Sequence, residues 1–244
     1  MRVFITSYQK SGTHQIMPAL GMRDDIVDRS WVDFTKLPER YLINKEINWD
    51  GARNETIPAL RTFEGGWFGH IPYLSEYAEV LEGNTKVLFN VRDPRDVIVA
   101  NYHSIKKVYY KTEPPGKKGY GHLNLRDKKG KLVIEKDDPI SELIEIESCR
   151  WPEWLGWLNH NFVMQVKYED LRMNPVPTIK KIEEFLKPYE INVVKSVKGL
   201  YPNHGNPTFR RGRVGDWKIE FDDTHKKLAE KLLGETIVKL GYEI

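Results

Sequence analysis

The first sixteen residues constrain the fold of this chain more tightly than any other stretch. Val3-Phe4-Ile5 reads as a buried strand and the residues from Thr13 onward as a helix. Only a short loop, with Tyr8-Gln-Lys-Ser-Gly12 at its centre, joins them. A strand that passes into a helix this abruptly points the helix's first free amides back at the loop. Gly12 permits the tight turn, Ser11 and Thr13 add hydroxyls, and Lys10 adds a mobile positive charge. These are the parts of a phosphate site, so the chain is expected to hold a phosphorylated nucleotide here. The plainer alternative is a turn closed by a helix N-cap. The order of residues excludes a Walker motif, which needs a second glycine followed directly by lysine, whereas Lys10 precedes the loop's only glycine.

The rest of the chain repeats the alternation. Strands are expected at Arg2 to Thr6, Tyr41 to Ile43, Gly66 to Gly69, Lys86 to Val91 and Phe162 to Tyr168. Helices are expected at Thr13 to Gly21, Pro72 to Leu81, Pro94 to Val108, Ile140 to Glu147, Trp151 to Asn159, Pro175 to Leu186 and Asp222 to Leu240, with Pro72, Pro94 and Pro175 in first turns. Strands alternating with helices predict an α/β fold, a single domain over residues 1–244 with a mainly parallel central sheet flanked by helices and a P-loop-like nucleotide site. In such sheets ligands bind at the carboxyl ends of the strands. Lys10 to Thr13, His70 and Arg92 each stand at such a junction.

Composition narrows the setting. Charged residues at 30% and hydrophobic residues at 40% suit a soluble globular chain, and no apolar run approaches membrane-spanning length. A net charge of +3 is too small to argue for nucleic acid. Residues 105–131 are locally basic and interleaved with Pro114, Pro115 and several glycines. They read as a solvated loop or as a rim that attracts an anion. Cys149 is the only cysteine, and the first strand starts at once, so a cytoplasmic location is expected, with no intramolecular disulfide and no membrane attachment.

A second segment carries Arg92-Asp-Pro-Arg-Asp96, then Val97, Val99, Ala100, Tyr102 and His103. Arg92 can offer a planar fork to a phosphate, or it can pair with Asp93 or Asp96 at the helix start. A third segment, Phe209-Arg-Arg-Gly-Arg-Val-Gly-Asp-Trp217, sets several arginines among glycines in an anion-binding loop. In this order the three segments resemble the PAPS-dependent sulfotransferases, which use 3′-phosphoadenosine 5′-phosphosulfate (PAPS). The family's first loop reads approximately Tyr-Pro-Lys-Ser-Gly-Thr-Thr-Trp, its second segment Arg-Asn-Pro-Lys-Asp-Val-x-Val-Ser-x-Tyr-His, and its late loop Arg-Lys-Gly-x-x-Gly-Asp-Trp. Tyr168-Glu-Asp-Leu171 and Asn174-Pro175 fit the family as well.

The resemblance implies roles for these residues. Lys10, Ser11, Gly12, Thr13 and His14 would hold the 5′-phosphosulfate. Arg92, Arg210, Arg211 and Gly212 would hold the 3′-phosphate. Ala100 stands where the family has a serine whose hydroxyl binds that phosphate, a gap that Asn101 or a water would have to fill. Tyr168 would lie near the adenosine, although a strand-end aromatic capping the core is an equal reading. Gln15 replaces an adenine-stacking tryptophan, so base contacts must differ, with Phe209 as one substitute.

The implied reaction is sulfuryl transfer to a hydroxyl or amine of a small-molecule or glycan acceptor, with no metal. His70, in Phe68-Gly-His-Ile-Pro72, matches the family's histidine and is expected to be the general base, with Lys10 stabilising the leaving phosphate. His14, inside the loop, is its rival. His103 reads as structural, and His122, His160, His204 and His225 as surface residues. Trp151, Trp154 and Trp157 read as core in preference to a sugar platform. No His/Cys metal spacing or GxSxG elbow occurs. Two other functions stay open, a non-catalytic nucleotide-binding module and a small-molecule kinase. The acceptor pocket is expected in the loops Asp24 to Trp49, Lys106 to Asp138 and Tyr201 to Phe209, whose sequence does not specify the acceptor. The dimer motif of animal relatives is not recognisable after Trp217, and the oligomeric state is left open.

Overall fold

The computed structural model describes residues 2–12, 15–16, 27–33, 42–43, 46–47, 49–110, 136–188, 191, 193, 197, 200 and 212–244. The chain divides into two compact units, Met1–Val91 with Glu153–Asn206 and Arg92–Pro152 with Pro207–Ile244.

The first unit is built on five parallel strands, β1 (Arg2–Ser7), β2 (Val27–Asp33), β5 (Gly66–His70), β6 (Thr85–Val91) and β7 (Val163–Lys167), in the order β2-β5-β1-β6-β7. Their register brings the carboxyl ends level. Thr6 lies opposite Gly69, Ser7 opposite Asn90 and Val91 opposite Lys167. Alternate residues of β1 serve opposite faces, as the two-residue period of a strand requires. Val3 and Ile5 join Leu88 of β6 and Val166 of β7 in one buried cluster with Leu171, Ile179, Ile182 and Leu186. Those four come from the helices Tyr168–Met173 and Pro175–Leu186. Phe4, on the other face, packs its ring 5.8 Å from Trp67 and 6.1 Å from Trp157. With both faces covered, the central strands must be apolar throughout, which is why Val87-Leu-Phe-Asn-Val91 shows no alternation.

Most expected elements are present, with instructive differences. The strand at Tyr41 to Ile43 is β3 (Leu42–Ile43), which pairs antiparallel with β4 (Glu46–Ile47) in a separate sheet instead of joining the parallel one. Edge strand β2 was not foreseen, and neither was the helix Trp49–Thr62, which carries Pro58 in its interior. Pro72 does not start a helix: residues 71–74 have no regular secondary structure, Leu74 is extended, and the helix runs Ser75–Leu81. The expected helix Trp151 to Asn159 is two short pieces, Pro152–Leu155 and a 3-10 turn Gly156–Asn159, and Tyr168 opens a helix instead of closing a strand. Trp151, Trp154 and Trp157 are all buried, which settles them as core.

The second unit is helical, formed by Pro94–Tyr110, Pro139–Arg150 and Asp223–Lys239, with the short helix Trp217–Glu220. Val97, Ile98, Leu143, Ile144, Leu233 and Ile237 are buried in it. Two histidines expected on the surface are drawn inward. His225 is buried and bonded to Asp138, and in the first unit half-buried His160 lies 3.1 Å from the Tyr73 hydroxyl. Among the described residues no helix is long and apolar enough to cross a membrane.

Candidate functional site

The loop after β1 is bent by two residues in the left-handed backbone region, Lys10 at φ 60° and Gly12 at φ 86°. A lysine there costs on the order of 1 kcal/mol relative to an ordinary backbone, and such strain persists where the surroundings enforce it. They do so here. The Ser11 amide donates to the Tyr8 carbonyl at 3.2 Å, the Tyr8 amide to the Asn90 carbonyl at 3.3 Å, and the Asn90 side-chain amide to the Ser11 carbonyl at 2.7 Å. The helix then starts at once, with the Gln15 and Ile16 amides donating to the Gly12 carbonyl at 2.7 and 3.2 Å.

This loop leaves polar atoms buried without a partner among the described residues: Ser11 Oγ, Gln9 Nε2, Gln15 Oε1 and Asn90 Oδ1. An unpaired buried hydroxyl or amide costs about 1–3 kcal/mol, so these are polar groups that a ligand at the loop could pair. Ser11 is completely buried, and its hydroxyl can donate to an anionic oxygen. Gly12 is needed for a second reason. A Cβ built on it would lie 2.5 Å from Cδ2 of Tyr168, whose buried ring therefore sits directly on the loop. Tyr168 thus both caps the strand end and packs on the loop at Gly12.

His70 ends β5, next to β1, and is buried. Its Nδ1 lies 2.6 Å from the Ser7 carbonyl oxygen and 3.2 Å from Ser7 Oγ. A carbonyl only accepts, so Nδ1 carries the hydrogen, and in the neutral ring the lone pair resides on Nε2. Thr6 secures the next residue by donating its hydroxyl to the Ile71 carbonyl at 2.8 Å. Two adjacent residues of one strand therefore hold the expected base, the Ser7 carbonyl fixing its tautomer and the Thr6 hydroxyl securing the backbone beside it.

In the second unit Arg92 is buried and donates through Nη2 to the Arg213 carbonyl at 2.9 Å, with Asp96 Oδ2 at 3.3 Å. Of the two sequence readings of Arg92, the pairing with Asp96 at the helix start is present. Arg95 and Asp93 form a two-point ion pair at 2.9 and 2.8 Å, and the Arg95 guanidinium stacks 3.8 Å from the centre of the Trp217 ring. Gly212, at φ 62°, is the first described residue of the late loop. Ala100 is partly exposed. Asn101 is buried, and its side-chain amide donates to Glu147 at 3.0 Å. Gln15 commits its amide nitrogen to the Leu200 carbonyl at 3.2 Å, a packing contact in the place of the family's tryptophan. Thr13, His14, Phe209, Arg210 and Arg211 lie outside the described residues.

Ser7 and Asn90 were not singled out from the sequence. Asn90 had a readable signal, a lone polar residue inside a doubly buried strand, where it must find a specific partner.

Known proteins share this chain's sequence pattern and fold. The family model of the sulfotransferase domain matches residues 1–241. Flavonol 3-sulfotransferase of Flaveria bidentis is 24% identical, over 98% of this chain and 82% of its own length. Sulfotransferase 2A1 of Mus musculus is also 24% identical, over 96% of this chain and 83% of its own. In fold, the chain is similar to the crystal structure of mouse sulfotransferase SULT7A1 complexed with PAP, with a TM-score of 0.59 and 17% identity over 97% of this chain and 84% of that one. The parallel sheet and the chain-long family match have one explanation: the chain belongs to the sulfotransferase family, the PAPS-dependent sulfotransferase enzymes.

Proposed function

We propose that the chain is one sulfotransferase domain that moves a sulfuryl group from PAPS to a hydroxyl or amine of a small-molecule acceptor. The observation that carries this reading is the buried, unpaired Ser11 hydroxyl in the Gly12 turn, which follows the strand paired with that of a histidine of fixed tautomer. PAPS supplies an activated S–O bond, broken as the acceptor oxygen or nitrogen bonds to sulfur. Lys10, Ser11, Gly12, Thr13 and His14 are suited to its 5′-phosphosulfate, Gln15, Tyr168 and Phe209 to its adenosine, and Arg92, Arg210, Arg211 and Gly212 to its 3′-phosphate, without the serine hydroxyl that Ala100 lacks.

His70 accepts the acceptor's proton at Nε2 while the Ser7 carbonyl holds Nδ1–H and keeps the ring from turning. The imidazolium that forms retains that hydrogen bond, which strengthens with its charge. Lys10 places its ammonium where negative charge grows on the departing 5′-phosphate, an interaction worth more in the transition state than in the ground state. His70 is preferred to His14 as base because a base must approach the acceptor from the side opposite the leaving group.

The deciding experiment combines isothermal titration of 3′-phosphoadenosine 5′-phosphate (PAP) and of ATP with Mg²⁺ against turnover of labelled PAPS on phenols, alcohols, amines and sugars. PAP binding with transfer to one acceptor class supports the reading. PAP binding without transfer to any of them indicates a non-catalytic module, and binding of ATP alone indicates a kinase.

A further inference from the structure

Asp96 is fully buried, yet its carboxylate is saturated by one short segment far away in sequence. Oδ2 accepts the Gly215 amide at 2.8 Å and lies 3.3 Å from Arg92 Nη2, and Oδ1 accepts the Trp217 amide at 3.0 Å. Gly215 adopts φ 78°, a conformation that other residues rarely take. Arg92 closes the ring by donating to the Arg213 carbonyl at 2.9 Å. Two carboxylate oxygens thus hold both the arginine expected to read the 3′-phosphate and the backbone of the late loop at Gly215 and Trp217.

Burying a carboxylate is costly unless its oxygens are paired, and here the pairing partners are two backbone amides and a guanidinium. Such an anchor fixes the backbone of the loop at Gly215 and Trp217. Without it, Arg92 loses the Asp96 carboxylate, and the backbone of Gly215 and Trp217 loses its two hydrogen bonds to the Pro94–Tyr110 helix.

We propose that Asp96 is the positioning residue for 3′-phosphate recognition: it sets the late loop and the Arg92 guanidinium in the arrangement that distinguishes a 3′-phosphorylated nucleotide from one lacking that group. The inference rests on the PAPS reading above. Asp96 touches no ligand in this role. It acts through Arg92 and through the backbone of Gly215 and Trp217.

The test is Asp96→Asn, which keeps shape but removes the charge and turns one acceptor into a donor facing an N–H or a guanidinium. By titration, affinity for PAP should fall roughly tenfold or more while affinity for adenosine 5′-phosphate changes by less than about twofold. In steady-state kinetics KM for PAPS should rise by more than kcat falls. In the wild type, hydrogen exchange at the Gly215 and Trp217 amides should slow on adding PAP and much less on adding adenosine 5′-phosphate. A wild-type preference for PAP that survives Asp96→Asn overturns the positioning role alone. Equal wild-type affinity for the two nucleotides overturns the PAPS reading and this inference with it. Should Asp96→Asn not fold, exchange in the wild type decides, and amides indifferent to PAP overturn the proposal.

Discussion

Gly12 cannot be replaced, for two independent reasons. Its backbone lies at φ 86°, and the space a Cβ would need is taken by the buried ring of Tyr168. The positive φ costs an alanine about 1–2 kcal/mol, and a buried aromatic that cannot move aside adds an overpacking penalty. Gly12→Ala should therefore lose about 2 kcal/mol or more in urea denaturation together with its affinity for PAP. A variant as stable as the wild type would show that the loop can re-form around a side chain. His70→Ala should leave nucleotide affinity nearly intact and reduce turnover by about two orders of magnitude or more, since it removes a proton acceptor and no phosphate contact. If His14→Ala lost turnover while His70→Ala kept it, the base would be His14. Lys10→Ala should lower kcat more than affinity; normal turnover at saturation with weakened binding would make Lys10 a ground-state anchor only. At this scale the sequence was informative about which residues matter and less so about what they touch. Lys10, Gly12, His70 and Arg92 sit where motif order put them. The Ser7 carbonyl on His70 and the Asp96 oxygens on Gly215 and Trp217 are contacts between residues distant in the chain, which no local pattern encodes.

Elements show a similar division between what periodicity reveals and what pairing decides. The helix Pro175–Leu186 was legible residue by residue because Pro175 starts it and Ile179, Ile182 and Leu186 recur at helical spacing. The helix Trp49–Thr62 was hidden because Pro58 reads as a breaker, although its lost amide is tolerated there. Strand β2 was hidden because Val27-Asp-Arg-Ser-Trp-Val-Asp33 is polar enough to pass for a loop, and its place at the sheet edge makes that composition workable. One junction between helices makes a pH prediction. Asp138 caps the helix Pro139–Arg150, accepting the Ser141 amide and hydroxyl, and lies 2.9 Å from Nε2 of His225. The Asp222 amide donates to His225 Nδ1, which leaves Nε2–H to donate to Asp138 when the ring is neutral. Burial pushes the Asp138 carboxyl up, but the Ser141 hydroxyl and amide and the His225 ring together bring it below the ordinary aspartate value. A carboxyl depressed on folding stabilises above its unfolded pKa, near 4, and that contribution disappears as pH falls through the lower folded value. Denaturation midpoints of wild type and Asp138→Asn should therefore differ at pH 6 and converge as pH drops below about 4. Parallel curves would mean that Asp138 is not coupled to folding.

For the whole molecule, the three motif segments from residue 6 to residue 218 announced the family, and the domain match over residues 1–241 bears that out. The division into two compact units was not legible. Its first boundary falls at Val91 and Arg92, inside a single motif and without any linker composition to mark it. The nucleotide offers a measurement on the entire chain, because a ligand that binds only the folded state stabilises it by mass action. At a concentration of 100 times Kd that amounts to about 2.7 kcal/mol, and for a chain of this size each kcal/mol raises the melting midpoint by roughly 2–4 °C. PAP should accordingly raise Tm by several degrees, and adenosine 5′-phosphate at the same concentration by distinctly less. The gap between the two is the signature of the 3′-phosphate. It should shrink as salt screens the arginine contacts, close largely in Arg92→Ala, and widen modestly in Ala100→Ser, which restores the hydroxyl that the family has at that position. Equal shifts from both nucleotides in the wild type would remove Arg92, Arg210 and Arg211 from phosphate recognition and with them the basis for PAPS as the donor.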